Sequence, residues 1–235
     1  MSETVAFVGA AGGVGTTRLT LECGRLLAAE GVDTAILDAA YGTQGLSDRI
    51  SGRIAPDMTE LCIAETPLGE GLIDLPAEGS GRLAACPAHA PFERLARAKT
   101  PDAAERFDAR IEEAGRRFEC VLVDTPPIAT NPAVAAATAV EAVAVVCTGD
   151  RAESAVPRTE DRLADIGVDP SVTLLTHAGS HPDADVAIPT FESETPATER
   201  DAPAHDSLVA AVETIADIPI ERPESAGLLE CVPFK

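Results

Sequence analysis

The chain has 235 residues, 45% of them hydrophobic and 24% charged, which is ample material for one buried core in a single domain at the large end of the usual range. Thirty-nine acidic side chains against 18 basic ones give a net charge of −21, a field that repels nucleic-acid phosphates and anionic headgroups and argues against direct nucleic-acid binding. Apart from Lys99 and Lys235 the basic residues are arginines, a carboxylate-coated composition suited to concentrated salt, so the chain reads as a protein of a halophilic cytoplasm.

Met1 to Thr4 carries no basic n-region and no small-residue cleavage pattern follows, so no signal peptide is expected. Val5 to Val8 is a short apolar β run ending in glycines, and Thr17 to Ala29 has helical spacing with Leu19, Cys23, Leu26 and Leu27 on one side. Strand, glycine turn and helix open a βαβ unit. The alternation continues with a strand at Thr34 to Leu37, a loop at Asp38 to Asp48, a strand at Arg82 to Cys86, a helix at Asp102 to Arg117 and a strand at Cys120 to Val123. After Pro126-Pro127 come a helix at Asn131 to Thr138, a strand at Ala142 to Cys147, a helix at Glu153 to Ile166 and a strand at Val172 to Leu175. Runs such as Val121-Leu122-Val123 are apolar on both faces and must be covered on both, which makes the sheet central and mostly parallel, a doubly wound α/β fold. Pro132 to Cys147 is interrupted by Glu141 and falls short of the ~20 apolar residues of a membrane span, so no span is expected.

Residues 179–206 turn to Pro, Asp, Glu, Thr and Ser and read as an acidic loop insertion, with one short strand at Asp185 to Ile188. Ser207 to Ile215 is a last amphipathic helix, which gives one domain over residues 1–217 and a tail over 218–235. Leu228, Leu229, Val232 and Phe234 suit the tail to docking on the domain or a partner. The six cysteines show no C-x-x-C pair and read as buried, reduced thiols. His177, His181 and His205 fall in or beside the polar insertion, where surface placement is expected.

Gly9-Ala10-Ala11-Gly12-Gly13-Val14-Gly15-Thr16-Thr17 lies between the first strand and first helix, where backbone N–H groups and a helix N-terminus converge on an anion. In the phosphate loop G-x-x-x-x-G-K-[ST], glycines let the backbone wrap phosphates, the lysine neutralises them and the hydroxyl holds Mg²⁺. Here the hydroxyl is Thr17 and the lysine position holds Thr16. Two further strands, ending at Asp38 and Asp124, deliver carboxylates to the same sheet edge, where ligands of doubly wound folds bind. For both aspartates, metal orientation competes with simple acceptance of loop amides. For Thr17, the competing role is a helix N-cap, and for Arg18 it is a solvated first-turn residue.

Together these segments resemble the ParA/MinD group of P-loop ATPases, with their K-G-G-x-G-K-T-T loop, D-x-D switch I and D-x-P-P strand end. Ala11 to Thr17 is similar to the loop in frame, Asp38 to Leu46 to switch I and Asp124-Thr125-Pro126-Pro127 to switch II; the likeness spans most of residues 4 to 217. It implies ATP or ADP held by the backbone of Gly12, Gly13, Val14, Gly15, Thr16 and Thr17, Mg²⁺ at Thr17, Asp38 and Asp124, and the base near Thr176, His177 and Pro189. Both family lysines are replaced, by Ala11 and Thr16, and the second switch I acid by Ala40, leaving Asp38 as the one catalytic candidate. The resemblance then implies weak or no ATP hydrolysis and a regulatory or spatial-positioning role with a protein partner, as a homodimer or a heterodimer with a paralogue. Two alternatives stand beside it: a slow ATPase whose cation comes from a partner in trans, and a non-catalytic interaction module pairing with an active paralogue.

Overall fold

The structure is a computed structural model that describes residues 2–191, 202–216, 218 and 220. Eight strands form one sheet: β1 (Glu3–Gly9), β2 (Thr34–Asp38), β3 (Ile73–Asp74), β4 (Leu83–Cys86), β5 (Cys120–Thr125), β6 (Ala142–Thr148), β7 (Val172–Thr176) and β8 (Val186–Ile188). Their order is β3-β4-β2-β5-β1-β6-β7-β8, and every pairing is parallel except that of β3 with β4. Every residue of β2, β4 and β5 is buried, as a sheet covered on both faces requires.

The helices are α1 (Thr16–Ala29), α2 (Met58–Ala64), α3 (Phe92–Ala98), α4 (Pro101–Gly115), α5 (Asn131–Thr138), α6 (Ala152–Asp165) and α7 (His205–Ala216). Helix α4 starts where its sequence directs: the Thr100 hydroxyl accepts from the Ala103 amide, Pro101 occupies the first turn, and Phe107, Ile111 and Ala114 fall on the buried stripe. Phe107 meets the buried Tyr41 ring edge-on, at 6.1 Å between centroids, which anchors the chain that follows β2. Helix α1 lies close on the sheet at Gly24, where a Cβ would come within 2.9 Å of Ile36 Cδ1.

The doubly wound, mostly parallel sheet expected from the apolar strands is the one observed, with differences at element ends. Helix α1 begins at Thr16 and its N-cap is Gly15, so Thr17 is not an N-cap. The unassigned stretch after Ile50 holds α2 and β3, and α3 follows β4. Asp57 caps α2, accepting from Glu60 N, the Thr59 hydroxyl and His89 N, and it pairs with Arg94 at 2.9 Å. Arg18 is not solvated: its side chain is 17% exposed and its Nε lies 2.7 Å from the buried Glu22 carboxylate. Five cysteines are buried and free. Cys231, the tail docking residues and positions 192–201 of the acidic insertion lie outside the described residues. Among the described residues no helix is long and apolar enough to cross a membrane.

Candidate functional site

Because β5 sits between β1 and β2, the ends of these three strands open side by side. Strand β1 runs into the glycine loop. Gly13 and Gly15 have φ of +76° and +84°, conformations that a Cβ would strain, and they turn the chain so that α1 starts at the cavity wall. Gly15 makes no side-chain cap bond and the first turn of α1 carries no acid, so its amides are left for an external acceptor. The loop is fixed from behind. Ala10 N donates to Val146 O at 2.8 Å, the Thr176 hydroxyl donates to Val14 O at 2.7 Å, and Arg151 Nη1 donates to Gly12 O at 3.1 Å.

In front of the loop lies a cavity of about 570 Å³, walled by residues 11–18, by Ala40, Thr43, Gly45, Asp48 and Arg49 of the segment after β2, and by Asp124 to Pro127. Gly12 and Gly13 face open space: a Cβ added to either would meet nothing within 4 Å. The segment after β2 abuts the loop: a Cβ on Gly45 would sit 3.2 Å from Thr17 Oγ1. Ala39 N donates to Asp124 O, Gln44 Nε2 donates to Ala90 O at 2.8 Å, and Tyr41 is buried. These contacts hold the segment in place.

Asp38 and Asp124 differ in what their oxygens meet. Asp38 is fully buried; its Oδ1 accepts from Ala40 N at 2.7 Å and its Oδ2 from Ala88 N at 3.0 Å. Burial, reinforced by the neighbouring Asp124 charge, pushes its carboxyl up to about 8 against the two amide bonds. Asp124 is also buried, but its Oδ2 has no hydrogen-bond partner, and the residue lies in the cavity wall. Burial raises it to about 6, opposed by a hydrogen bond with the Thr17 side chain and by the Arg49 charge.

The structure therefore brings Gly12, Gly13, Val14, Gly15, Thr16, Thr17 and Asp124 to one cavity. Asp38, read in the sequence as a further member of the metal group and as the catalytic candidate, lies behind the wall and is turned to the backbone. Thr176 is buried behind Gly15 and spends its hydroxyl on Val14 O and Cys147 O. His177, at φ 54°, is exposed with Nδ1 3.1 Å from Thr190 Oγ1, and Pro189 is half-buried after β8. None of these three is in the cavity wall. Arg49 is a wall residue that sequence reasoning passed over. Its signal was a cation closing the switch-like stretch.

An unsatisfied buried carboxylate oxygen beside a hydroxyl fits a hard divalent cation such as Mg²⁺. Among the described residues no group of three or more His, Cys, Asp or Glu could hold a metal. A cation at Thr17 and Asp124 would take its remaining ligands from water and from a bound phosphate, as Mg²⁺ does.

Compared with solved structures, the fold is that of the ParA/MinD-type P-loop ATPases, which are its structural neighbours. The septum site-determining protein MinD of Pyrococcus horikoshii, complexed with Mg-ADP, aligns with a TM-score of 0.71 at 15% identity over 91% of this chain and 95% of that one. Cobyrinic acid a,c-diamide synthase of Mycobacterium smegmatis, with bound ADP and magnesium, aligns with a TM-score of 0.72 at 16% identity, covering 95% of this chain and all (100%) of the other. The MinC:MinD cell division complex of Aquifex aeolicus gives 0.70 at 19% identity, covering 94% and 99%. No protein-family model matches the chain, and no curated protein matches its sequence. At these identities the likeness is one of fold.

Proposed function

We propose that this chain is a ParA/MinD-like regulatory or spatial-positioning protein that binds ATP or ADP with Mg²⁺ between the glycine loop and Asp124 and hydrolyses ATP slowly or not at all. The observation that carries the reading is the buried, unpartnered Oδ2 of Asp124 in the wall of the loop cavity. Structural neighbours that hold Mg-ADP, or ADP with magnesium, on the same fold support it. The loop amides would hold phosphates, Thr17 and Asp124 would hold the cation, and Asp38 would position the strand ends that present them.

Slow turnover is argued from charge. Phosphoryl transfer is accelerated by groups that stabilise negative charge on the transferring oxygens, and removing one such donor typically costs about 10²- to 10³-fold in rate. Ala11 and Thr16 stand where the resemblance places lysines, and Ala40 where it places an acid. Turnover near background makes a binding role the better reading, with a protein partner, a homodimer or a paralogue heterodimer responding to the bound state. A cytoplasmic protein with one nucleotide domain over residues 1–217 suits this role.

Isothermal calorimetry in molar KCl tests it directly. Mg-ATP and Mg-ADP are expected to bind the wild-type chain and to lose most affinity when Mg²⁺ is omitted or in Asp124→Ala, while phosphate release stays close to background. Absence of heat at millimolar nucleotide would overturn the proposal.

A further inference from the structure

The cavity wall contains no lysine, yet it is not without positive charge: Arg18 and Arg49 both line it. Arg18 is committed elsewhere, paired with the fully buried carboxylate of Glu22 and lying 5.5 Å from the Phe191 ring centroid. Arg151, behind the loop, donates to Gly12 O. Arg49 is different. Among the described residues it makes no ion pair within 4.0 Å, although Asp48 and Asp124 share the wall with it and its charge acts on Asp124.

The backbone that carries Arg49 is well held. Arg49 ends a short 3-10 turn, Ser47–Arg49, in which Ser47 N and Oγ both donate to Gln44 O and Arg49 N donates to Leu46 O at 3.1 Å. Leu46 is fully buried beneath it, and Gly45 abuts Thr17. Arg49, on the segment after β2, and the glycine loop line the same cavity. The planar guanidinium fork of donors suits phosphate oxygens, where a neutral hydroxyl such as that of Thr16 contributes no charge. In a chain of net charge −21, an arginine that lines the loop cavity and makes no ion pair among the described residues has an anionic ligand as its natural complement.

We propose that Arg49 is the phosphate-binding cation of this site, supplying from the segment after β2 the positive charge that the glycine loop lacks at Thr16. The inference rests on the nucleotide-binding reading above. It adds that affinity depends on a residue of the segment after β2, so a bound polyphosphate ties that segment to the loop.

Calorimetry of Mg-ATP and Mg-ADP on wild type, Arg49→Ala, Arg49→Lys and the double variant Arg49→Ala with Thr16→Lys tests this, with unfolding midpoints measured alongside. Arg49→Ala should weaken binding by about ten- to a hundredfold, the loss typical of a charge-assisted contact, with an unchanged midpoint because the residue is exposed. Arg49→Lys or the relocated lysine should recover most of it. Wild-type binding with Arg49→Ala within about threefold of it would overturn this inference and leave the nucleotide site standing. A loss that neither lysine restores would also overturn it, since the role would then not be one of charge. A wild-type chain that binds neither nucleotide would overturn both readings.

Discussion

Asp38 and Asp124 are register partners on the parallel strands β2 and β5, so two buried carboxyl groups stand abreast at the end of the sheet. One has both oxygens occupied by the amides of Ala40 and Ala88, and the other leaves Oδ2 open to the cavity wall. Two carboxylates so placed cannot both ionise without mutual repulsion and desolvation. The pair holds protons that the unfolded chain would give up.

Stability should therefore fall as pH rises. An unfolded aspartate titrates near ~4, whereas in the folded chain Asp124 is raised to about 6 and Asp38 to about 8. The native state thus binds more protons between these limits, and each raised group contributes stability below its unfolded value that is lost as pH passes its folded value. Urea midpoints should decline from about pH 4 to about pH 8 and then level. In Asp38→Asn the upper part of that decline should disappear.

Asp124→Asn removes a buried charge that lacks one partner. Such groups cost about 1–3 kcal/mol, and in a chain of this size each kcal/mol moves the melting midpoint by about 2–4 °C. The metal-free variant is expected to melt higher than wild type. Stabilisation by Mg²⁺ with nucleotide should vanish in the same variant, as differential scanning fluorimetry would show.

Much of this arrangement was legible beforehand, and the parts that were not have physical causes. Val121 to Val123 and Val143 to Val146 are apolar on both faces, which dictated a covered parallel sheet, and Gly12 to Thr17 between strand and helix marked the glycine loop that lines the cavity. Helix α2 was missed although Asp57 and Glu60 form a capping pattern, because its seven residues are too few to show a helical period. The fate of Asp38 was invisible for a different reason. Its partner amide at Ala88 is 50 residues away, and no local pattern reports such a contact.

The loop glycines should separate conformational strain from crowding. Gly15→Ala meets only ordinary contacts with Thr176, at 3.8 Å, but forces an L residue to φ +84°, which costs about 1–2 kcal/mol. Gly12→Ala faces open space and carries no positive φ, so it should leave the denaturation midpoint unchanged. Equal losses in the two variants would contradict a conformational origin.

Thr176→Val keeps the side-chain volume but deletes the hydroxyl that donates to Val14 O and Cys147 O. Leaving those carbonyls short of a donor should cost about 1–3 kcal/mol. Hydrogen exchange should report faster opening around residues 13–16 than in wild type.

Salt should stabilise the chain. With a net charge of −21, self-repulsion opposes compaction, and the screening length shrinks from about 10 Å at 0.1 M to about 3 Å at 1 M. Melting midpoints in KCl should rise across that interval. A flat or falling midpoint would remove the case for salt adaptation.

The Thr176–Val14 bond also helps set the width of the site. Held by β6 through Ala10 and by the end of β7 through Thr176, the glycine loop is the fixed jaw of a vice, and its shape is set before anything enters. The residues after β2 form the other jaw and are tethered as well, through Gln44 and Tyr41, so a ligand would meet a slot whose width is set on both sides.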